Sequence, residues 1–528
     1  MGKTGGFLEH PRREPGYRPV AERVKDFKAV EIPIPVDALH AQLGRCMECG
    51  TPFCHGYGCP LESVIPEVNE MAWQDRWEEA LALLLASNPF PEFTARLCPA
   101  LCEAACVLAI NDGAVTIRQI ALAIVERGFA AGYLKPAPPA KRLEEKIAVI
   151  GSGPAGLAVA DALNKAGYPV VVYERAAKAG GILRYGIPDF KLEKWIVDRR
   201  IRLMEEEGVH FETGVALGSD ISSKYLAGRF AAICLCGGAS EPRNLTAPGR
   251  DLAGIHFAMD YLVAQNKKKS GEWLNGAAKL NAHGKKVVVI GGGDTGADCL
   301  GTAVRQGAQS VVQLEIMPEP PRARPAATPW PMWPLIRRDS SSHAEGGERR
   351  WGVATTRFIG RQGRIAGLEC IEVASLRRAD GRVETLPRPG TEFELPADMA
   401  LLALGYEVGG VPPLAEYLQL ACDQRGRLVL DGRHMASVPG VFAAGDMHGG
   451  PSLVSRAMAD GLAAARGIVR YLRADQSDPA AGPAHKTEGC VNPGRTTGRR
   501  VSRQGRNAGK GCENGRINKN RINKSLRY

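Results

Sequence analysis

The chain has 528 residues, 44% of them hydrophobic and 6% aromatic, with a formal net charge of +11. That length holds about three domains, and the composition is that of a globular protein, not a fibrous or wholly disordered one. The charge does not mark the body as a nucleic-acid binder. Residues 476–528 carry twelve Lys and Arg against three acidic residues, so the basicity sits in a tail and the rest is nearly neutral. No uninterrupted apolar run approaches the ~18 residues of a membrane helix. The opening MGKTGGFLEHPRREPG lacks the apolar core of a signal peptide. These features predict a cytoplasmic chain without membrane contact.

In chain order, residues 1–40 are polar and proline-punctuated, which predicts an extended arm with a short helix near Val20–Phe27. A cysteine run follows, Cys46-x2-Cys49-x4-Cys54-x4-Cys59. A second, Cys98-x3-Cys102-x3-Cys106, comes after a predicted helix over Trp73–Ala86. Thiolates are soft ligands for zinc or iron–sulfur clusters. Zinc is the simpler alternative. Seven cysteines in two groups, with the Cys-Pro steps Cys59–Pro60 and Cys98–Pro99, fit the ferredoxin arrangement, where the last cysteine of one group ligates the other cluster. The expectation is two [4Fe–4S] clusters. Seven cysteines do not fill eight ligand places, so one cluster needs another donor or a three-iron form.

An amphipathic helix over Val115–Phe129 and the linker KPAPPA lead to KIAVIGSGPAGLAVADALNKAGYPVVVYE, residues 146–174. Ile147–Ile150 reads as a buried strand, Gly151, Gly153 and Gly156 as a G-x-G-x-x-G loop, and Leu157–Ala166 as a helix. A second strand, from Val170, ends at Glu174. The first glycine serves the tight turn, the second the approach of a pyrophosphate, the third helix–strand packing. The acid suits a ribose. Residues 286–315 repeat the unit with Gly291, Gly293, Gly296 and Glu315. Two such units imply two dinucleotides, as in a chain that sets a flavin beside a nicotinamide.

Gly180 and Gly181 form a further glycine turn, followed by a helix over Lys191–Glu207. Cys234 and Cys236, in the strand 231–238, read as buried thiols. Residues 318–348 are rich in Pro, Ser and Arg and predict a long loop within the second nucleotide domain, with His343 in a hydrogen-bonding role. Strands at 398–405 and Val441–Asp446 and a helix over Ser452–Leu472 complete the core. The strand–Gly445–Asp446–helix unit belongs with the first loop, so the second nucleotide domain is an insertion. The tail 476–528 reads as disordered, with nucleic-acid contact as its minor functional alternative.

The fold class expected is α/β: two Rossmann-like domains, for FAD and NADPH, preceded by an α-helical iron–sulfur domain. The expected boundaries are 1–144 for the iron–sulfur domain, 145–264 and 397–475 for the two parts of the FAD domain, 265–396 for the inserted NADPH domain, and 476–528 for the tail.

The order CMECGTPFC, GCPL, NPFPEFT, GSGPAGL, GILRYGIPDFKLEK, VVVIGGGDTGADCLGTAVRQGA, SSSHAEGGE and VFAAGD resembles the small (β) subunit of bacterial NADPH-dependent glutamate synthase over about residues 1–472. The cysteine-plus-two-nucleotide design also resembles the N-terminal part of dihydropyrimidine dehydrogenase. The opening arm, RYGIPDFKLEK and SSSH favour the former. The resemblance implies that NADPH reduces FAD and that electrons pass through iron–sulfur clusters to a large subunit. That subunit makes glutamate from 2-oxoglutarate and glutamine-derived ammonia.

The resemblance implies Cys46, Cys49, Cys54 and Cys106 on one cluster and Cys59, Cys98 and Cys102 on the other. Ala121 stands where relatives place Glu or Gln, leaving Gln119 or Glu126 to substitute, or a labile cluster. FAD would meet Gly151, Gly153, Gly156, Glu174, Gly181, Gly445 and Asp446, although His448–Pro451 depart from the family's Arg-Arg-Gly-Gln. NADPH would meet Gly291, Gly293 and Gly296. Glu315 alone favours NADH by the acid rule; the family's NADPH preference would be met by Arg322, Arg324, Arg337 or Arg338, with Arg322 and Arg338 the residues named for the site. Hydride transfer needs positioning and no acid–base pair, so no catalytic side chain is assigned.

Overall fold

Two parallel sheets organise the molecule, as a computed structural model shows for residues 2–272, 280–378, 383–407, 411–424 and 426–477. The first sheet has strands in the order Val441–Ala443, Ala232–Leu235, Ile147–Ile150, Val170–Glu174, His210–Thr213. The second runs Glu348–Trp351, Ser310–Glu315, Lys286–Ile290, Met399–Leu402, Ile255–Phe257. The central strands are continuous apolar runs because helices cover both faces of a parallel sheet. They show no alternation of buried and exposed residues: Ile147, Ala148 and Val149 are all buried, as are Val287, Val288 and Val289.

The second sheet reaches beyond its expected limits. Ile255–Phe257 and Met399–Leu402 both lie in it, the latter pairing with both Lys286–Ile290 and Ile255–Phe257. The boundaries expected at 264/265 and 396/397 therefore move outward. A two-stranded antiparallel ribbon, Glu241–Pro242 with Tyr406–Glu407, marks where the chain crosses between the sheets. Short apolar strands ending in glycine look alike in sequence, which is why the expected limits put 398–405 in the wrong half.

A four-stranded antiparallel sheet, not expected from the sequence, fills 353–396. Val353–Arg361, Arg364–Arg377 and Val383–Pro387 pair in succession, and Phe393–Pro396 pairs with the long second strand. Its inward residues Phe358, Leu368 and Leu395 join the core formed with Val288 and Ala400 of the parallel sheet.

The N-terminal region is helical, as expected, around Leu39, Leu43, Val68, Leu81, Leu84, Ile120 and Ile124. The helix expected over Trp73–Ala86 begins at Trp77 and runs to Ser87, and a separate helix, Ile65–Trp73, precedes it. Asp75, at φ 59°, turns the chain between them. The helix near Val20 is shorter than expected, Val20–Arg23. The arm carrying it is well anchored: Arg23 pairs with Glu345 at 2.8 Å, and Glu345 also pairs with Arg305, all three side chains being nearly inaccessible. Arg305 in turn stacks on Phe190 at 3.8 Å.

The cysteine-rich helical region is joined to the region of the first parallel sheet by a buried bidentate pair. Arg200 Nε and Nη2 donate to Glu92 Oε1 and Oε2 at 2.5 and 3.0 Å. Met1–Tyr471 form one compact unit and Leu472–Tyr528 a second, of which only the end of the helix Val454–Ser477 is described. The expectations for the basic tail, beyond Ser477, lie outside the described residues. No described helix is long and apolar enough to cross a membrane.

Candidate functional site

The two glycine loops are built alike. Each follows a central strand and opens a twelve-residue helix, Pro154–Lys165 or Asp294–Arg305. Gly151 and Gly291 have φ of 105° and 125°, the left-handed side that glycine adopts without a Cβ penalty. A Cβ on Gly156 or Gly296 would drive into the carbonyl oxygen of Gly151 or Gly291. A Cβ on Gly153 or Gly293 would meet nothing within 4 Å. Neither helix has a side-chain cap, so its first N–H groups face that open space. An uncapped helix start behind an open glycine suits a pyrophosphate, and both loops pass this test.

The two acids are also used alike. Glu174 accepts from Ser152 N at 3.1 Å and Ala176 N at 2.8 Å. Glu315 accepts from Gly292 N and Met317 N, both at 2.8 Å. Each carboxylate thus staples its glycine loop to the end of the following strand. Ser152, overlooked in the sequence, adds a hydroxyl bond to Glu174 at 2.6 Å and accepts from Gly180 N at 2.9 Å.

The first loop gathers the other expected flavin residues. Gly181 lies against Gly153: an added Cβ would come within 2.7 Å of its Cα. Gly445, at φ 74°, sits against Ala155, whose Cβ would be 2.6 Å from an added one. Its N–H donates to Asp460 Oδ2 at 2.7 Å. Asp446 accepts from Ser452 Oγ at 2.7 Å, and burial pushes its carboxyl up to about 6. The helix expected over Ser452–Leu472 is a single helix, Val454–Ser477, and a short helical turn, Asp446–Gly449, precedes it.

Of the arginines near the second loop, two are committed elsewhere. Arg324 donates to Thr328 O and Met332 O and, at 3.3 Å, to Ala104 O in the cysteine region. Arg337 pairs with Glu319 and, at 3.5 Å, with Asp339. Arg322 is exposed. Arg338 stacks on Trp333 at 3.8 Å and donates to Pro334 O at 2.8 Å; burial and then Arg324 hold its guanidinium below the ordinary value, with Asp294 opposing them.

His343 has both ring nitrogens engaged. Nδ1 accepts from Ser340 N at 3.0 Å, so Nε2 carries the proton and donates to Gln313 Oε1 at 2.9 Å. Gln313 Nε2 then donates to Gly291 O at 2.8 Å. The histidine props up the second glycine loop through Gln313, for which the sequence carries no signal. Burial holds the imidazole down to about 4, below its ordinary value of 6.5. With a depressed folded value, its stabilising contribution is complete above about 6.5 and is lost as pH falls through about 4. The stability advantage of the wild type over His343→Gln is expected to shrink across that interval, as thermal midpoints measured from pH 7 to 4 will show.

The seven cysteines fall into two groups by which thiols feel each other's charge. The Cys54 thiol is pushed up to about 12 by burial and then by Cys106, Cys46 and Cys49. Cys102 is pushed well up by burial and then by Glu103, Cys59, Cys98 and Cys54. Burial also raises Cys98, with Cys59 adding to it. Cys106 thus sits with the first segment's cysteines and Cys59 with the second's, and the Cys54–Cys102 coupling places the groups side by side. Clustered all-sulfur donors suit iron–sulfur ligation.

Near the three-cysteine group lie two hydroxyls the sequence did not signal. Ser63 Oγ is 3.7 Å from Cys59 Sγ, and Ser455 Oγ 3.9 Å from Cys98 Sγ. The expected substitutes for Ala121 are engaged elsewhere: Gln119 bonds Glu31 at 2.6 Å, and Glu126 pairs with Arg96 and Arg199 at 3.0 and 2.8 Å. The long loop expected over 318–348 reaches the other group through Trp330. Trp330 donates to Cys106 O at 3.2 Å and packs on Phe53 at 4.7 Å. Cys234 and Cys236 are buried, their sulfurs 3.7 Å apart.

Fold and sites together define a pyridine-nucleotide flavoprotein oxidoreductase with an iron–sulfur domain. The pyridine nucleotide–disulphide oxidoreductase family matches residues 145–461, and the dihydropyrimidine dehydrogenase domain II, 4Fe-4S cluster family matches residues 23–132. The chain belongs to the glutamate synthase small chain family. It is 47% identical over 484 residues to the glutamate synthase [NADPH] small chain of Mycobacterium tuberculosis, covering 91% of this chain and 98% of that one. It is 42% identical to the Bacillus subtilis small chain, covering 89% and 99%. The solved structure of M. tuberculosis FprA shares the fold at TM-score 0.51 and 19% identity, over 63% of this chain and 86% of that one.

Proposed function

We propose that this chain is the electron-entry subunit of a glutamate synthase, oxidising NADPH and delivering electrons to a large subunit that makes glutamate from glutamine and 2-oxoglutarate. When bound, FAD would supply two-electron chemistry toward NADPH and one-electron chemistry toward the iron–sulfur side, for which the cysteines would hold two [4Fe–4S] clusters. The chain's own residues position these groups. Gly291, Gly293 and Gly296 present the second helix start to one pyrophosphate, with Arg338 and the exposed Arg322 for the 2′-phosphate. Gly151, Gly153, Gly156, Glu174, Gly181, Gly445 and Asp446 shape the flavin cradle. Cys59, Cys98 and Cys102 hold one cluster; Cys46, Cys49, Cys54 and Cys106 hold the other. Thiolate ligation suits the reducing cytoplasm.

The observation that carries the reading is the contact between Cys98 and Ser455. Ser455 lies in the first turn of the helix that follows the Gly445–Asp446 turn, which supports a path in which the three-cysteine group takes electrons from the flavin. The test is anaerobic NADPH oxidation by the purified chain with its large subunit, with and without glutamine and 2-oxoglutarate. Two glutamates per NADPH, dependent on every component, are expected. NADPH oxidation with dyes or ferredoxin but no coupling to those substrates would move the acceptor elsewhere. Arg338→Ala is expected to raise KM for NADPH by about 10-fold, the loss of one charge-assisted contact of ~1.5 kcal/mol, and to leave KM for NADH nearly unchanged in steady-state assays.

A further inference from the structure

A cluster of ligating side chains lies beside the flavin cradle and plays no part in the electron path. His434, His448 and Asp460 come from three segments: the turn before the strand Val441–Ala443, the short helix Asp446–Gly449 and the long helix Val454–Ser477. One ligand atom from each lies within 4.8 Å of the other two. The two imidazoles meet edge to face at 5.7 Å. His434 Nδ1 is 3.8 Å from Asp460 Oδ1, too far for a hydrogen bond, and this nitrogen is buried without a hydrogen-bond partner.

The carboxylate is oriented from behind. Asp460 Oδ2 accepts from Gly445 N at 2.7 Å, which leaves Oδ1 as the oxygen near His434. A backbone N–H on the far oxygen is the kind of outer contact that fixes a metal-binding carboxylate. His434 has φ 65°, an uncommon conformation for a side chain-bearing residue. Asp431 holds that turn: its carbonyl accepts from His434 N at 3.1 Å and its Oδ1 from Met435 N at 2.9 Å. The charged groups that His448 feels are Asp460, His434 and Arg427.

We propose that His434, His448 and Asp460 form a binding site for a divalent transition metal of the zinc class, with a fourth position left for water. Two imidazoles and one carboxylate favour zinc, cobalt or nickel over magnesium or calcium, which prefer all-oxygen shells. Bonds of ~2.0–2.1 Å put tetrahedral ligand atoms ~3.3 Å apart, so side-chain rotations must close the present spacing by about 1.5 Å or less. The bound ion ties the turn before the last sheet strand to the Gly445–Asp446 turn through Asp460. It is a clamp on the flavin cradle, separate from the cysteine clusters.

The test uses the full chain loaded with flavin and iron–sulfur clusters, stripped of loose metal by a chelator and titrated anaerobically with Co(II), followed by visible absorption. One equivalent of Co(II), displaced by Zn(II), is expected. His448→Gln and His434→Gln, each checked for flavin content and circular dichroism, are expected to weaken it by more than ~100-fold, beyond the 10–100-fold range of a lost outer partner. For a variant with impaired flavin retention, the readout is the Zn(II)-induced rise in thermal midpoint, present in the wild type and absent in the variant. Absence of Co(II) uptake by the wild type overturns the proposal. So does equal uptake by wild type and both variants, which would place the metal at cysteines.

Discussion

Glu92→Ala is expected to cost about 3–5 kcal/mol, the range for breaking a buried ion pair by removing one partner. The Arg200 and Glu92 side chains are 2% and 0% exposed, and the guanidinium also lies over Phe90 at 5.3 Å and Phe129 at 5.5 Å. Removing the carboxylate leaves a buried cation that water cannot reach. Glu92 belongs to the helix Pro91–Leu97, just before Cys98, and Arg200 to the helix Lys194–Glu206 of the first nucleotide region. The loss therefore falls on the joint between them. Thermal denaturation and limited proteolysis will read the destabilisation. Stopped-flow reduction should show flavin reduction by NADPH nearly intact while cluster reduction slows. The double variant Glu92→Leu, Arg200→Met removes both charges and is expected to recover most of the stability. A single variant within ~1 kcal/mol of wild type would show that the joint is held by its apolar contacts instead.

The second large effect separates the two dinucleotide loops. Gly156→Ala forces a methyl into the Gly151 carbonyl and to 3.3 Å from the Cys236 Cβ, so the helix start must move away from the loop. The purified variant is expected to retain little FAD. Gly296→Ala meets the Gly291 carbonyl and Gln313 Nε2 at 2.5 Å, on the same side chain that His343 supports. That variant should keep its yellow flavin spectrum yet lose reduction by NADPH by at least ~100-fold, about 2.7 kcal/mol, since a ~1 Å misplacement costs this much. Dithionite should still reduce it. If Gly296→Ala lost flavin and Gly156→Ala did not, the loops would have to exchange cofactors.

The glycine loops were legible because their chemistry is local. Gly151, Gly153 and Gly156 each answer a backbone need that no other residue meets, and the flanking strand and helix are contiguous in sequence. The iron–sulfur character of the N-terminal region was legible for the same reason, since cysteine spacing and residue type carry that signal and the 4Fe-4S cluster family matches residues 23–132. What escaped notice depends on distant partners. Arg324 reads as a spare phosphate ligand until its carbonyl partner at Ala104, 220 positions away, is seen. Ser455 meets Cys98 across 357 positions. The antiparallel sheet at 353–396 was hidden by its own composition: Thr355, Thr356, Arg357 and Arg361 interrupt the apolar alternation along an edge strand with register shifts. The domain limits failed on three- and four-residue strands, too short to show which sheet they join.

The late arrival of one strand bears on how the protein is made. Ala232–Leu235 waits for Val441–Ala443 as its neighbour, while every strand of the second sheet is synthesised in between. On the ribosome, the inserted sheet can close while the first still has an open edge. On the proposed reading, the flavin cradle, which would use Gly445 and Asp446, is thus completed only after the second sheet has been synthesised. Such a long-range closure is slow, and it leaves an apolar strand edge uncovered meanwhile. A chain stalled before residue 441 would hold every strand of the second sheet and lack the last strand of the first, so on the proposed reading flavin loading would report that synthesis has passed the Gly445–Asp446 turn.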